Sequence, residues 1–134
     1  MIKDTPVSIQ NLDDLINACK NNLEMAKAHD IVGIDLKNQS SIADYMIIAS
    51  GTSDRHVSAI AYRLEDFLNR SGVHGITLSG DKLGEWVIVD LGSLLVHIMQ
   101  PQIRERYRLE DLYRLMAQGE MLSPEDLMNK QLEE

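Results

Sequence analysis

EWVIVDLGSLLVHIM, residues 85–99, is the stretch that decides the fold of this chain. Two short apolar runs flank Gly92-Ser93, and a two-residue loop of this kind predicts a tight β-hairpin. If Leu91 pairs with Leu94, alternation along the strands sorts the side chains onto two faces. One face is then entirely aliphatic: Val87, Val89, Leu91, Leu94, Val96 and Ile98. The other face is mixed, and such a face is expected to meet a second surface: Trp86, Ile88, Asp90, Leu95, His97 and Met99.

Length and composition indicate one globular domain. The chain has 134 residues, of which 44% are hydrophobic and 25% charged. A chain of this length and composition can bury a hydrophobic core without disulfide bonds or a structural metal. The single cysteine, Cys19, excludes a disulfide framework and a cysteine-rich zinc site. No apolar run approaches the ~20 residues that span a membrane. The N-terminus has neither an apolar signal core nor an arginine-rich transit pattern, so we expect a cytoplasmic protein.

The net charge of −8 argues against a protein that holds nucleic acid mainly through phosphates. The charge is uneven, because residues 118–134 contain five acidic residues against Lys130 alone and so contribute −4. An acidic domain is better matched to a basic protein partner than to bare RNA. We expect any contact with nucleic acid to be indirect.

Periodicity assigns the elements in the first half of the chain. Apolar residues recur at helical spacing over 9–28, with Ser8 as the expected N-cap. Ile31–Leu36 and Tyr45–Ala49 are predicted strands of a hairpin. A second helix follows the Gly51–Asp54 turn and is expected to end at Gly72.

The second half begins with a predicted strand at Gly75–Ser79, which should run parallel to the strand at Tyr45–Ala49. The opening hairpin follows, and Pro101 then starts a third helix with a narrow apolar stripe: Leu109, Leu112, Tyr113 and Met116. Ser123-Pro124 predicts the start of a short final helix.

This order of elements, α-β-β-α-β-β-β-α, predicts an α/β fold with a five-stranded mixed sheet and flanking helices. The helices should cover the aliphatic face. The face with Trp86 is expected to be lightly covered, so that a partner or a second copy of the chain would cover it. Asp35 and Thr77 would join that face if Val32, Ile34, Ile76 and Leu78 point into the core.

The Gly51–Asp54 turn could cradle an anion at a helix N-terminus. The same residue types also cap an ordinary helix, and we favour that reading for Thr52, Ser53 and Asp54. The chain contains neither a P-loop nor a dinucleotide-binding fingerprint. A nucleotide-binding or nucleotidyl-transferring enzyme that uses this turn with Asp35 and Asp90 is therefore the alternative hypothesis.

Catalysis and metal binding have little support in the pattern. The four histidines lie in four different elements without ligand-like spacing, so we expect no metal site and no cofactor. Strands 31–36 and 85–91 contain no Asp-x-Asp, which metal-assisted phosphoryl chemistry usually needs. Ser53 lacks an adjacent base and a nucleophile elbow. We expect no catalytic residue.

Three features of the sequence have two interpretations each. Trp86 is either a core aromatic or an interface anchor, and we favour the anchor because its strand neighbours already supply the core face. His97 fits a partner contact and a hydrogen-bonded strand histidine equally well. The arginine-rich stretch from Arg104 is nearly neutralised by its acidic residues, which favours a solvated helix with i,i+4 pairs over an RNA-binding patch.

Three motifs occur in the order of a known family. They read SSIADYMIIASGTSDRHV (40–57), GEWVIVDLGSLLVHIMQP (84–101) and RERYRLEDLY (104–113). They closely resemble the ribosomal silencing factor family, also called Iojap-like, over residues 8–113. The family is similar in fold to nucleotidyltransferases but lacks their catalytic acids.

The resemblance implies a translation repressor that is not an enzyme. Family members bind the large ribosomal subunit through large-subunit ribosomal protein fourteen and block joining of the small subunit when nutrients run short. They are often homodimers when free. The silencing domain is expected at residues 1–113, and residues 114–134 are expected to be an acidic C-terminal extension.

The motifs also imply contact residues for the ribosomal protein. The G-x-W-V-x-x-D motif matches Trp86 and Asp90, and the V-H element matches His97. The R-x-x-Y-x-L-E element includes Arg104 and Tyr107, and Met99 completes the predicted surface. The chain has Tyr113 where the family often has tryptophan.

Overall fold

The computed structural model describes residues 4–37, 43–111 and 114. Within these residues, strands and helices follow one another in the predicted order. The strands are β1 (His29–Asp35), β2 (Tyr45–Ser50), β3 (Thr77–Ser79), β4 (Trp86–Asp90) and β5 (Leu94–Met99). The helices are α1 (Leu12–Met25), α2 (Asp54–Arg70) and α3 (Pro101–Tyr107). The predicted α/β class with a five-stranded mixed sheet is confirmed.

The strands form one sheet in the order β1-β2-β5-β4-β3. β2 and β5 are parallel, and the other neighbouring pairs are antiparallel. β3 therefore runs in the same direction as β2, as predicted, with β5 and β4 between them.

The β4–β5 hairpin has the predicted register. Leu91 N–H donates to the carbonyl of Leu94 at 2.9 Å, and Val89 lies opposite Val96. Gly92 has a φ of +87°, a conformation that glycine adopts at little steric cost. Because the register is as predicted, the aliphatic and mixed sets lie on opposite faces of the sheet.

Helices α1 and α2 cover the aliphatic face. The core on this side contains Leu23 and Leu64 from the helices and Val87, Val96 and Ile98 from the strands. Ser53 caps α2 as predicted, since its Oγ accepts from His56 N–H at 3.1 Å. Gly72 follows the end of α2 with a φ of +91°.

The predicted cap of α1 is wrong. The helix starts at Leu12 with Asn11 as its N-cap, and Asn11 Oδ1 accepts from Asp14 N–H at 2.8 Å. The segment before α1 is bound to α2 instead, because Arg63 binds the Asp4 carboxylate and Arg70 donates to the Asp4 carbonyl. Asparagine caps helices as well as serine does, so this sequence offered two competing start points.

The opposite face is not open, which corrects the expectation of a lightly covered surface. It carries a second, smaller core: Ile34, Leu36, Ala43, Met46, Ile48, Leu95, Met99 and Leu109. Leu109, 3% exposed, comes from the segment after α3. The chain therefore covers part of this face with its own residues.

Strand β1 has the orientation in which Asp35 does not join the Trp86 face. Ile34 and Leu36 are buried in the second core, and Val32 packs against it. Asp35 consequently points away from Trp86, on the side of Tyr45 with which it pairs. Thr77 does lie on the Trp86 side, because Leu78 packs against the helix-covered core.

Helix α3 is interrupted within the stretch over which the apolar stripe predicts one helix, and residues 109–111 are helical again after the break. Arg108 takes a left-handed conformation, with φ 47° and ψ 44°, and terminates the helix after Tyr107. This turn is what brings Leu109 back onto the sheet. The other members of the stripe, Leu112, Tyr113 and Met116, lie outside the described residues, as does the predicted final helix.

Candidate functional site

The mixed face brings together Trp86 of β4, His97 of β5 and Tyr107 of α3. The indole N–H of Trp86 donates to His97 Nδ1 at 2.9 Å. The Tyr107 ring lies 5.2 Å from the Trp86 ring, centroid to centroid, at an interplanar angle of 44°. Trp86 and Tyr107 are both half-buried, so part of each ring is on the surface. We call Trp86, His97 and Tyr107 the aromatic cluster.

Strand pairing explains how Trp86 reaches His97. Trp86 lies opposite Met99, and His97 is two residues from Met99 on the same face. Such diagonal neighbours are within reach of an aromatic side chain. The hydrogen bond is therefore a direct consequence of the hairpin register.

His97 is a neutral acceptor in this arrangement. It is only 4% exposed, and burial lowers its pKa to about 3 because the charged imidazolium would be desolvated. Since Nδ1 accepts from Trp86, the ring proton lies on Nε2. Its place in a buried hydrogen-bonded pair accords with one of the two readings that the sequence left open.

Met99 lies beneath the surface. Its side chain is fully buried in the second core, directly opposite Trp86 across the hairpin. In this conformation it supports Trp86 from below. Its role as a contact residue stays a prediction.

Arg104 is 8% exposed and ties α3 to the end of β2. Its Nη1 donates to Ser50 Oγ at 2.9 Å, and its Nε donates to Glu110 Oε1 at 2.7 Å. This ion pair lowers the pKa of Glu110. The pair spans six positions, which a continuous helix would not bring together, and so it depends on the turn at Arg108. Arg104 thus fixes the segment that carries Tyr107 and Leu109.

Asp90 is exposed at the end of β4, on the same face as Trp86. Its Oδ1 accepts from Gly92 N–H at 2.9 Å, which stabilises the hairpin turn. The structure gives this local role to a residue that the motif assigns to the partner surface.

The Gly51–Asp54 turn is occupied by its own capping contacts. Besides the bond from His56 N–H to Ser53, the backbone N–H of Thr52 donates to His56 Nδ1 at 2.9 Å. His56 Nε2 lies 3.0 Å from the carbonyl of Ala26, which ties the turn to the end of α1. The capping interpretation of this turn is therefore supported by geometry, and Asp35 and Asp90 lie on different faces of non-adjacent strands.

A charged cleft of about 260 Å³ lies next to Arg104, at the carboxyl end of β2. Acidic Asp30, Glu105 and Asp111 line it together with Arg108, so its charges are mixed. Among residues 4–37, 43–111 and 114, no three His, Cys, Asp or Glu side chains are grouped as they would be to hold a metal ion. In the same part of the chain, no helix is both long and apolar enough to cross a membrane.

Two partly exposed residues on the face that carries Trp86 were not among the contact residues predicted from the sequence. Ile88 and Ile103 pack against the second core, yet both are only partly buried. Ile88 was on the mixed face of the predicted hairpin and could have been included. No sequence pattern indicated Ile103, because its position depends on how α3 folds back over the sheet.

Comparison with known proteins decides the family. A family model described as "Ribosomal silencing factor during starvation" matches residues 9–133. The chain belongs to the ribosomal silencing factor family. The resemblance seen in the three sequence motifs is thereby confirmed.

Individual relatives of the ribosomal silencing factor family agree in sequence and structure. A protein of Haemophilus influenzae named ribosomal silencing factor is 41% identical over 99 residues, covering 74% of this chain and 97% of its own length. A crystal structure of a Chromobacterium violaceum protein superposes with a TM-score of 0.75 at 34% identity, covering 78% of this chain and 87% of that one. A Bacillus halodurans structure gives a TM-score of 0.68 at 31% identity, covering 75% and 94%.

Proposed function

We propose that this protein represses translation by binding the large ribosomal subunit and blocking joining of the small subunit. The proposed contact is large-subunit ribosomal protein fourteen, and the proposed occasion is nutrient limitation. The proposal includes a cytoplasmic location, no catalytic activity and no cofactor. It rests on membership of the silencing factor family together with the surface around Trp86.

The observation that carries the proposal is the half-buried Trp86 on the face that α1 and α2 leave uncovered. Around it, Ile88, Ile103 and Tyr107 are each partly exposed. Tryptophan and tyrosine are enriched among residues that dominate interface energetics, because they bury a large rigid area. This group is the proposed docking surface.

Charge supports a basic protein as the partner. The chain carries a net charge of −8, and Asp90 is exposed at the end of β4 on the face that carries Trp86. Complementary charge around an apolar anchor raises the association rate and excludes wrong partners. RNA is a poor match to the same surface.

Co-sedimentation with purified large ribosomal subunits tests the proposal. We expect the wild-type protein to sediment with the subunits and Trp86→Ala to lose at least about 2 kcal/mol of binding, a roughly thirtyfold weaker affinity. Tyr62→Ala is the matched control, because Tyr62 is an exposed aromatic on α2, on the other side of the sheet. Unchanged binding by folded Trp86→Ala would contradict the assigned surface.

The free protein is proposed to be a homodimer. If the two copies meet through the docking surface, dimerisation and ribosome binding compete. Affinity for the large subunit would then fall as protein concentration rises, while light scattering reports the dimer. A monomer at all concentrations would remove this part of the proposal.

The nucleotidyltransferase alternative has a direct test. Calorimetry with Mg-nucleotides should give no heat, because the backbone N–H of Thr52 and the Ser53 hydroxyl are already engaged in capping. Measurable heat or turnover would favour the enzyme over the binding protein.

A further inference from the structure

Trp86 is held on two sides before any partner arrives. Its indole N–H donates to His97 Nδ1 at 2.9 Å, and Tyr107 lies against its ring at 5.2 Å between centroids. The acceptor is itself fixed, because His97 lies between Ile48 of β2 and Ile88 of β4 in the sheet. A buried imidazole in the middle of a sheet has little freedom to rotate.

We infer that His97 is a positioning residue for the docking surface, holding the indole of Trp86 in the orientation in which its exposed edge meets the partner. This inference rests on the proposed function, since it concerns the same surface. His97 acts through Trp86, because it is too deeply buried to offer much surface to a partner.

The physical reason is preorganisation. A half-buried tryptophan without an acceptor for its N–H can occupy several rotamers, and binding must then select one of them. Fixing the side chain in advance reduces the entropy lost on association. Ordering one such side chain corresponds to an affinity difference of about two- to tenfold.

Substitutions at His97 can separate the contribution of the hydrogen bond from that of side-chain packing. A side chain of similar size without an acceptor would keep the core filled but leave the indole N–H without its partner. A glutamine would restore an acceptor oxygen, although at a slightly different position. The two substitutions therefore separate positioning from packing.

The test compares wild type, His97→Leu and His97→Gln. Trp86 is the only tryptophan of the chain, so a single indole N–H resonance and the fluorescence anisotropy report on it alone. In His97→Leu we expect faster exchange of the indole proton, lower anisotropy and two- to tenfold weaker binding to large ribosomal subunits. In His97→Gln all three should move back toward wild type.

A wild-type measurement needs no substitution. The ¹⁵N shift of His97 Nδ1 should be that of an unprotonated acceptor, and a protonated Nδ1 would overturn the inference even if both variants fail to fold. A folded His97→Leu protein with wild-type indole exchange, or with wild-type affinity, would also overturn it. Absence of binding by wild type itself would instead defeat the proposed function, and the inference with it.

Discussion

The two faces of the sheet are built differently, and we propose that the difference separates stability from recognition. The aliphatic face is covered by two long helices, and its strand residues Val87, Val96 and Ile98 are fully buried. Among residues 4–37, 43–111 and 114, the opposite face is covered by α3 and by Leu109 after it, which leave Trp86 and Ile88 half-buried. The first face gives the chain a core, whereas the second combines a smaller core with the proposed docking surface.

The largest expected effect comes from weakening the helix-covered face. Leu64→Ala removes a fully buried α2 side chain and should lower the free energy of unfolding by about 2–5 kcal/mol. Urea denaturation measures this loss. The folded fraction of the variant should bind large ribosomal subunits as wild type does, because Leu64 lies on the other side of the sheet. A marked loss of affinity in folded protein would break the separation of the two faces.

The second prediction concerns the stability of the protein at acid pH and the buried His97 beneath the proposed docking surface. His97 has a folded-state pKa of about 3, against an ordinary value of 6.5. Between these values the unfolded chain binds a proton that the folded chain does not, so stability falls as pH falls from 6.5. The slope from this group approaches about 1.4 kcal/mol per pH unit.

Urea denaturation from pH 7 to pH 4.5 in wild type and His97→Gln measures that contribution. The variant should show a shallower dependence over this window. The carboxylates of Asp4 and Glu110, whose pKa values are lowered by their arginine partners, also lose stabilisation as pH falls, but wild type and variant both retain them, so they do not account for the difference. Equal slopes would mean that His97 is protonated in the folded protein.

The smallest expected change in stability comes from the N-cap of α1, on the helix-covered face. Asn11→Ala should lower the free energy of unfolding by about 1 kcal/mol, since it removes the acceptor for Asp14 N–H. Ser8→Ala is the matched control and should be nearly neutral. Thermal unfolding of both variants decides between the two caps. The reverse order would place the helix start where the sequence pattern first suggested.

The hairpin was predictable because its signals are local. Gly92 supplies the positive φ of the turn, and alternation on either side sorts the two faces without reference to the rest of the chain. The five strands, the α2 cap at Ser53 and the aliphatic core follow from similar short-range rules. Trp86 and His97 were placed on one face by the same alternation.

The coverage of the face that carries Trp86 was not predictable, because it depends on a backbone conformation that no local sequence signal indicates. Arg108 is left-handed although arginine has no preference for that region, and the arginine-rich pattern around it is equally compatible with a longer helix. The turn becomes favourable only once Leu109 is buried and Arg104 reaches both Ser50 and Glu110. These are tertiary contacts that override a local pattern.

The face taken by β1 could not be decided from the sequence for a related reason. Alternation leaves two choices for an isolated strand, and pairing with β2 selects the one that buries Ile34 opposite Met46. Lys20 donates to the Tyr45 hydroxyl at 3.3 Å, and that hydroxyl occupies the space above Gly33, which leaves no room for a side chain there. Asp35 consequently lies on the side of the sheet away from Trp86.

The most direct test of the account is a subunit-joining assay. Free large and small ribosomal subunits are mixed with increasing amounts of wild-type protein, Trp86→Ala or Tyr62→Ala, and formation of whole ribosomes is followed by light scattering. We expect wild type and Tyr62→Ala to suppress joining, and Trp86→Ala to require a much higher concentration. Equal suppression by folded Trp86→Ala, or no suppression by wild type, would contradict this expectation.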